Sequence, residues 1–158
     1  MKIKQEKFFH QIVTKDIFDS VVILDIDGTV TCSSQTEICP EVVAVIRKLQ
    51  ERNAVYIFSN NYNGKRSRII AKKLQLPYIE APHKKPNKKI LNYIDTGTCT
   101  VVAIGDKYLT DGLFAQFAKT KHIRVKRYRC KEDSLFDKAS CLFDDCVYKL
   151  AKLFRCVR

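Results

Sequence analysis

"VVILDIDGTVTC", residues 21–32, decides how the rest of the chain is read. Four apolar residues run into Asp25 and Asp27, two carboxylates one residue apart, and then into Gly28. An unbroken apolar run that ends in turn chemistry reads as a strand buried on both faces, the kind found in parallel sheets. Two negative charges at the end of such a strand repel each other unless something positive lies between them. The pair is either a solvated turn or the holder of a cation.

Outward from this strand, apolar runs and helical periodicities alternate. A helix is expected to open at Pro40, with Val42, Val43, Ile46 and Leu49 on its apolar side. Next come a strand at 54–58, a helix at 64–74 and a short strand near Tyr78 and Ile79. A helix at 86–94 precedes a strand at 100–104. Leu113, Phe114, Phe117 and Ala118 mark another helix, Ile123 and Val125 a last strand, and 135–154 a C-terminal helix. The chain shows no repeat, low-complexity tract or Gly/Ser linker, so residues 1–158 read as one domain. The expected class is α/β, a Rossmann-like parallel sheet of about five strands with helices on both faces.

In open parallel sheets, ligands bind at the carboxyl ends of the strands. Polar groups gather at those ends: Asp25 and Asp27, then Ser59, Asn60 and Asn61, then His83, Lys84 and Lys85, then Asp106 with Asp111. Each group alone reads as turn chemistry. Four at one rim read as a site. A calcium loop of EF-hand type counted from Asp25 fails, because Thr29, Val30 and Thr36 stand at its fifth, sixth and twelfth positions. Carboxylates without a neighbouring His or Cys favour a hard ion that keeps several waters, which is Mg²⁺. The seven cysteines form no Cys-x-x-Cys pair and hold no zinc spacing. Their odd number reads as reduced, packed thiols in a cytosolic setting.

The segments "DIDGT" (25–29), "FSNN" (58–61), "KKP" (84–86) and "GDKYLTD" (105–111) resemble, in order and spacing, the four motifs of the haloacid dehalogenase superfamily. The resemblance covers about residues 18–128. Within the superfamily the chain is similar to the small phosphatidylglycerophosphate phosphatases, many of which carry Asn where this chain has Gly28. The resemblance implies a Mg²⁺-dependent phosphomonoester hydrolase that works through an aspartyl phosphate, with a phosphorylated lipid headgroup as substrate. Asp25 is then the nucleophile and Asp27 the general acid and base. Asp25, Asp106 and the backbone carbonyl of Asp27 hold the metal. Ser59, Asn60 and Lys85 bind the phosphoryl group, Lys85 also steadies the nucleophile, and Asp111 orients Lys85 or a metal-bound water.

Two further features bear on the substrate. Only residues 30–39 separate the first motif from the next helix, and one helix and one strand use up the stretch between the second and third motifs. No cap domain is expected, and an open site suits a large substrate. The formal net charge is +12, and residues 81–158 carry 17 basic against 8 acidic side chains. Such a surface attracts an anionic membrane or nucleic acid. The run "KTKHIRVKRYRCK" (119–131) lies outside the four motifs. In the C-terminal segment, Phe143, Val147, Leu150 and Phe154 form a stripe, with Lys149, Lys152, Arg155 and Arg158 off it. That stripe either docks on the sheet or lies on an anionic bilayer.

A phosphatase acting at a membrane surface is therefore the expected function. A nucleic-acid 3′-phosphatase on the same scaffold is the alternative, and a non-catalytic anion-binding module is a third reading. No run reaches the roughly 20 apolar residues of a membrane span. Lys and Glu break the N-terminal segment too often for a signal-peptide core. The expected location is cytoplasmic, with peripheral contact at the inner face of a membrane.

Overall fold

The computed structural model describes residues 7–61, 64–131 and 133–154. Its sheet has four parallel strands: β1 (Ser20–Leu24), β2 (Asn53–Ile57), β3 (Thr100–Gly105) and β4 (Lys121–Arg124), in the order β2-β1-β3-β4. All five residues of β1 are buried, as the central position demands. Alternate residues of the strands feed two cores. Val22, Leu24, Val55, Ile57, Val102 and Ile104 face α1 (Pro40–Gln50) and α2 (Gly64–Leu74). Val21, Ile23, Val101 and Ala103 face Ile90, Phe114 and Ala115, from a 3-10 turn (Lys88–Tyr93) and α3 (Leu113–Ala118). Helical cover thus lies on both faces, consistent with a Rossmann-like fold.

The expected fifth strand is reduced to one bridge. Tyr78 pairs with Ile57 in parallel, fastened by Ile57 N–H to Pro77 O and Ile79 N–H to Ile57 O, each at 2.9 Å. Pro77 has no N–H to give to a ladder, so the pairing does not spread. The helix expected at 86–94 is likewise only the 3-10 turn Lys88–Tyr93, whose first residues are capped by the Asn87 side chain accepting from Lys89 N–H.

Register fixes the site. Leu24 lies level with Ile57 on one side and Ile104 on the other, so Asp25, Ser59 and Asp106 leave the sheet at nearly the same height. Among the described residues, no inserted domain lies between β1 and α1 or between β2 and β3.

The last helix, α4 (Leu135–Leu153), does not dock its apolar stripe on the sheet. Its buried residue is Asp144, and the Phe143–Leu150 side of the expected stripe points to solvent. Arg155 and Arg158 lie outside the described residues. The cysteine reading also needs correction: Cys32 and Cys130 form a disulfide, with a Cα–Cα distance of 5.8 Å. The two are 98 residues apart, and no local spacing reveals such a pair. They meet because the loop after β1 runs beside the segment after β4, where Tyr128 N–H donates to Gly28 O at 2.8 Å.

Candidate active site

Lys85 is the centre of the rim. Its side chain is buried, and Nζ donates to Asp25 Oδ1 at 2.6 Å, to Asp111 Oδ1 at 2.5 Å and to Phe58 O at 3.3 Å. The third motif is held to the second by a reciprocal pair: Asn60 Nδ2 donates to Lys85 O, and Lys85 N–H donates to Asn60 Oδ1, both at 2.8 Å. Asn60 therefore fixes the backbone that aims Lys85.

Asp25, Asp106 and Asp111 form a buried cluster whose oxygens lie within 4.8 Å of one another. Gly105 makes this possible. A Cβ there would collide with the Asp111 carboxylate. Gly28 has φ +81°, and a Cβ on it would meet Asp106 Oδ2 at 2.7 Å and Arg127 Cγ at 2.8 Å. Thr29 Oγ1 donates to Asp106 Oδ1 at 3.3 Å, and Thr110 Oγ1 to Asp111 Oδ2 at 3.1 Å.

Three carboxylates in a dry pocket shift their own chemistry. Burial pushes Asp25 well above the ordinary carboxylate range; Lys85 pulls against this, while Asp111, Asp106 and Asp27 add to it. Burial likewise raises Asp106 to about 6, with Arg127 opposing. Burial alone would lower Lys85, but Asp111 and Asp25 outweigh it and hold the ammonium above the usual lysine value. The cluster is short of positive charge and offers only oxygen donors. That set fits a hard divalent cation.

Asp27 stands apart from this cluster. Its Oδ2 accepts from Ser59 Oγ at 3.0 Å, and its Oδ1 accepts from Arg66 Nη1 at 2.5 Å. Arg66 also donates to Cys32 O and Gln35 O, each at 2.6 Å, so α2 pins the loop that carries the first motif. Ser59 Oγ itself accepts from Asn61 N–H at 3.1 Å.

All seven sequence-predicted residues converge on the rim, in two adjoining sets. Asp25, Lys85, Asp106 and Asp111 form one, with Asn60 behind Lys85; Asp27 and Ser59 form the other. Two arginines join them that the sequence did not single out. Arg66 lies on α2, outside the four motifs. Arg127, read as part of a basic surface run, donates from Nε to Asp106 Oδ2. Both lie outside the four motifs, so no sequence signal marked them.

The fourth motif is held from outside. Asp144 on α4 accepts from the backbone N–H groups of Tyr108 (2.9 Å) and Leu109 (2.7 Å). It also pairs with Arg124, whose Nε donates to Asp106 O at 3.0 Å and whose guanidinium lies over the Tyr148 ring.

A family profile described as mitochondrial PGP phosphatase matches residues 6–127, a span that contains all seven predicted residues and both arginines. No curated protein and no solved structure matches the chain. The description places that family in mitochondria and lends no support to the cytoplasmic location expected from the cysteines and the N-terminus. No helix among the described residues is long and apolar enough to cross a membrane.

Proposed function

The chain belongs to the mitochondrial PGP phosphatase family and is a phosphatase, and from that premise we propose that it hydrolyses the terminal phosphomonoester of phosphatidylglycerophosphate with Mg²⁺ as cofactor, acting as one capless domain. The observation that carries the reading is Lys85, bonded to both Asp25 and Asp111 at the ends of the central strands. Burial between two carboxylates fixes the Lys85 ammonium at one point of the rim, where it can meet a transferring phosphoryl oxygen.

Asp25, Asp106 and the backbone carbonyl of Asp27 would hold Mg²⁺, with Asp111 beside them. When bound, the ion supplies the charge that lets a carboxylate approach a phosphate dianion. Asp25 attacks phosphorus in line and becomes an aspartyl phosphate as the lipid alkoxide leaves. Asp27 gives that alkoxide its proton, then takes one from the water that releases phosphate. Ser59, the Asn60 backbone N–H and Lys85 hydrogen-bond the transferring oxygens. The Arg66 and Ser59 contacts orient Asp27 when it is ionised, and one of them would open when Asp27 carries the proton that it gives to the leaving oxygen.

The basic surface would draw the protein to anionic lipid, and the membrane concerned would be mitochondrial. Phosphate release from phosphatidylglycerophosphate in mixed micelles, with Mg²⁺ and with excess chelator, tests the proposal. Activity that stops in chelator and returns with Mg²⁺ is expected. Full activity in chelator, or release from an oligonucleotide 3′-phosphate but not from the lipid, overturns it.

A further inference from the structure

The amphipathic helix α4 is mounted with its apolar side outward. At 100° per residue, Leu135, Phe136, Leu142, Phe143, Leu150 and Leu153 fall within roughly 120° of arc. All six are 54–85 % exposed. The opposite side holds Asp144 and Tyr148, which carry the contacts to the fourth motif and to Arg124. Docking thus rests on Asp144 and the Tyr148 ring, which meets Tyr108 and Arg124, and the apolar stripe takes no part in it. Six large apolar side chains along one helix make a contiguous patch of the kind that marks an interaction surface.

We propose that this stripe is a bilayer-docking surface that seats the phosphatase on anionic lipid, an inference that rests on the lipid-phosphatase reading above. Charge and position argue for a bilayer over a second copy of the chain. Lys138 and Lys149 flank one edge of the stripe and Lys152 lies beyond them, where phospholipid headgroups meet a helix lying in the interface. At the same edge, Lys138 and Leu142 line a groove of about 350 Å³ with Arg127, Arg129, Cys130, Asp133 and Cys141. Arg127 reaches from that groove to Asp106. The apolar stripe and its lysine edge therefore adjoin a groove that shares Arg127 with the site. A headgroup beside the stripe would meet Arg127 and Arg129 first. The helix lies beyond residues 6–127, so this surface is not part of what the family profile matches.

Flotation with phosphatidylcholine vesicles, with and without phosphatidylglycerol, tests the assignment. Hydrolysis of p-nitrophenyl phosphate is followed in parallel. The wild-type chain should float with the anionic vesicles and scarcely with phosphatidylcholine alone. Combining Phe136→Ser, Phe143→Ser and Leu150→Ser should weaken that partition by about tenfold or more while the soluble ester is hydrolysed as before. Reversing charge with Lys138→Glu and Lys149→Glu should also lower partition, and should blunt its salt dependence. Unchanged flotation of the serine variant overturns the proposal. So does a variant that only converts a dimer to a monomer by light scattering, because the stripe then serves a second copy. Stripe-dependent flotation of a protein that hydrolyses no phosphomonoester would leave the docking surface standing and remove the lipid-phosphatase reading. Lipid hydrolysis with stripe-independent flotation would do the reverse.

Discussion

Lys85 carries the most electrostatic weight of any residue at the rim. Its removal as Lys85→Met leaves Asp25 and Asp111 buried without their shared cation, and breaking a buried pair in this way costs about 3–5 kcal/mol. Denaturant unfolding should show that loss together with abolished turnover. Arg66 makes a different prediction. Arg66→Ala frees Asp27 to rotate, so hydrolysis of an alkyl phosphate, whose leaving group needs a proton, should fall by about 10²-fold. An aryl phosphate, whose leaving group does not, should suffer far less; equal losses would mean that Arg66 only supports the fold. Asp106 gives a pH dependence. Its folded value of about 6 exceeds the ordinary 3.8, so the folded chain binds this proton more tightly than the unfolded chain. The stabilisation is complete below the ordinary value and is lost as pH rises through about 6. If Asp106 is a ligand of the proposed Mg²⁺, the ion displaces the same proton, and its effect on the thermal midpoint should be larger above that pH than below it. A rise that is flat with pH would contradict this. The aspartates and Lys85 were legible in the sequence because the aspartates follow strands in motif order and Lys85 directly precedes Pro86. Arg66 and Arg127 were not, because a long side chain reaches its partner through space and leaves no periodic trace.

At the scale of elements, the alternation of apolar runs reveals β1, β2 and β3 because each must be apolar on the faces it buries. It overstates the Tyr78–Ile79 segment, where one proline limits a strand to a bridge. It identifies α4 but not its orientation, since a stripe tells which side is apolar and not what covers it. That orientation rests on Asp144. Asp144→Ala removes a charged acceptor from two backbone N–H groups and one arginine, at a cost of about 3 kcal/mol. Turnover should fall as well, because the loop that carries Asp106 and Asp111 loses its outer tether. Asp144→Asn, which keeps an acceptor oxygen, should recover part of both in unfolding and rate measurements.

For the whole molecule, the Cys32–Cys130 disulfide closes the loop after β1 onto the segment after β4, beside Arg127 and the first motif. A closed loop of this length restricts the unfolded chain enough to contribute about 4.7 kcal/mol, so reduction, or Cys32→Ser, should lower stability by up to that order. Equal midpoints in oxidised and reduced protein would refute the tether. With no cap among the described elements, the rim stays open to a substrate embedded in a larger phase, which suits a lipid headgroup. The proposed mechanism depends on Asp25 being the residue whose carboxylate takes the phosphoryl group. Acid-quenching the enzyme during turnover of labelled phosphatidylglycerophosphate, followed by peptide mapping, reads this directly. The label should sit on Asp25 as an alkali-labile acyl phosphate and be absent from Asp25→Asn. Label on another residue, or undiminished turnover by Asp25→Asn, would contradict it.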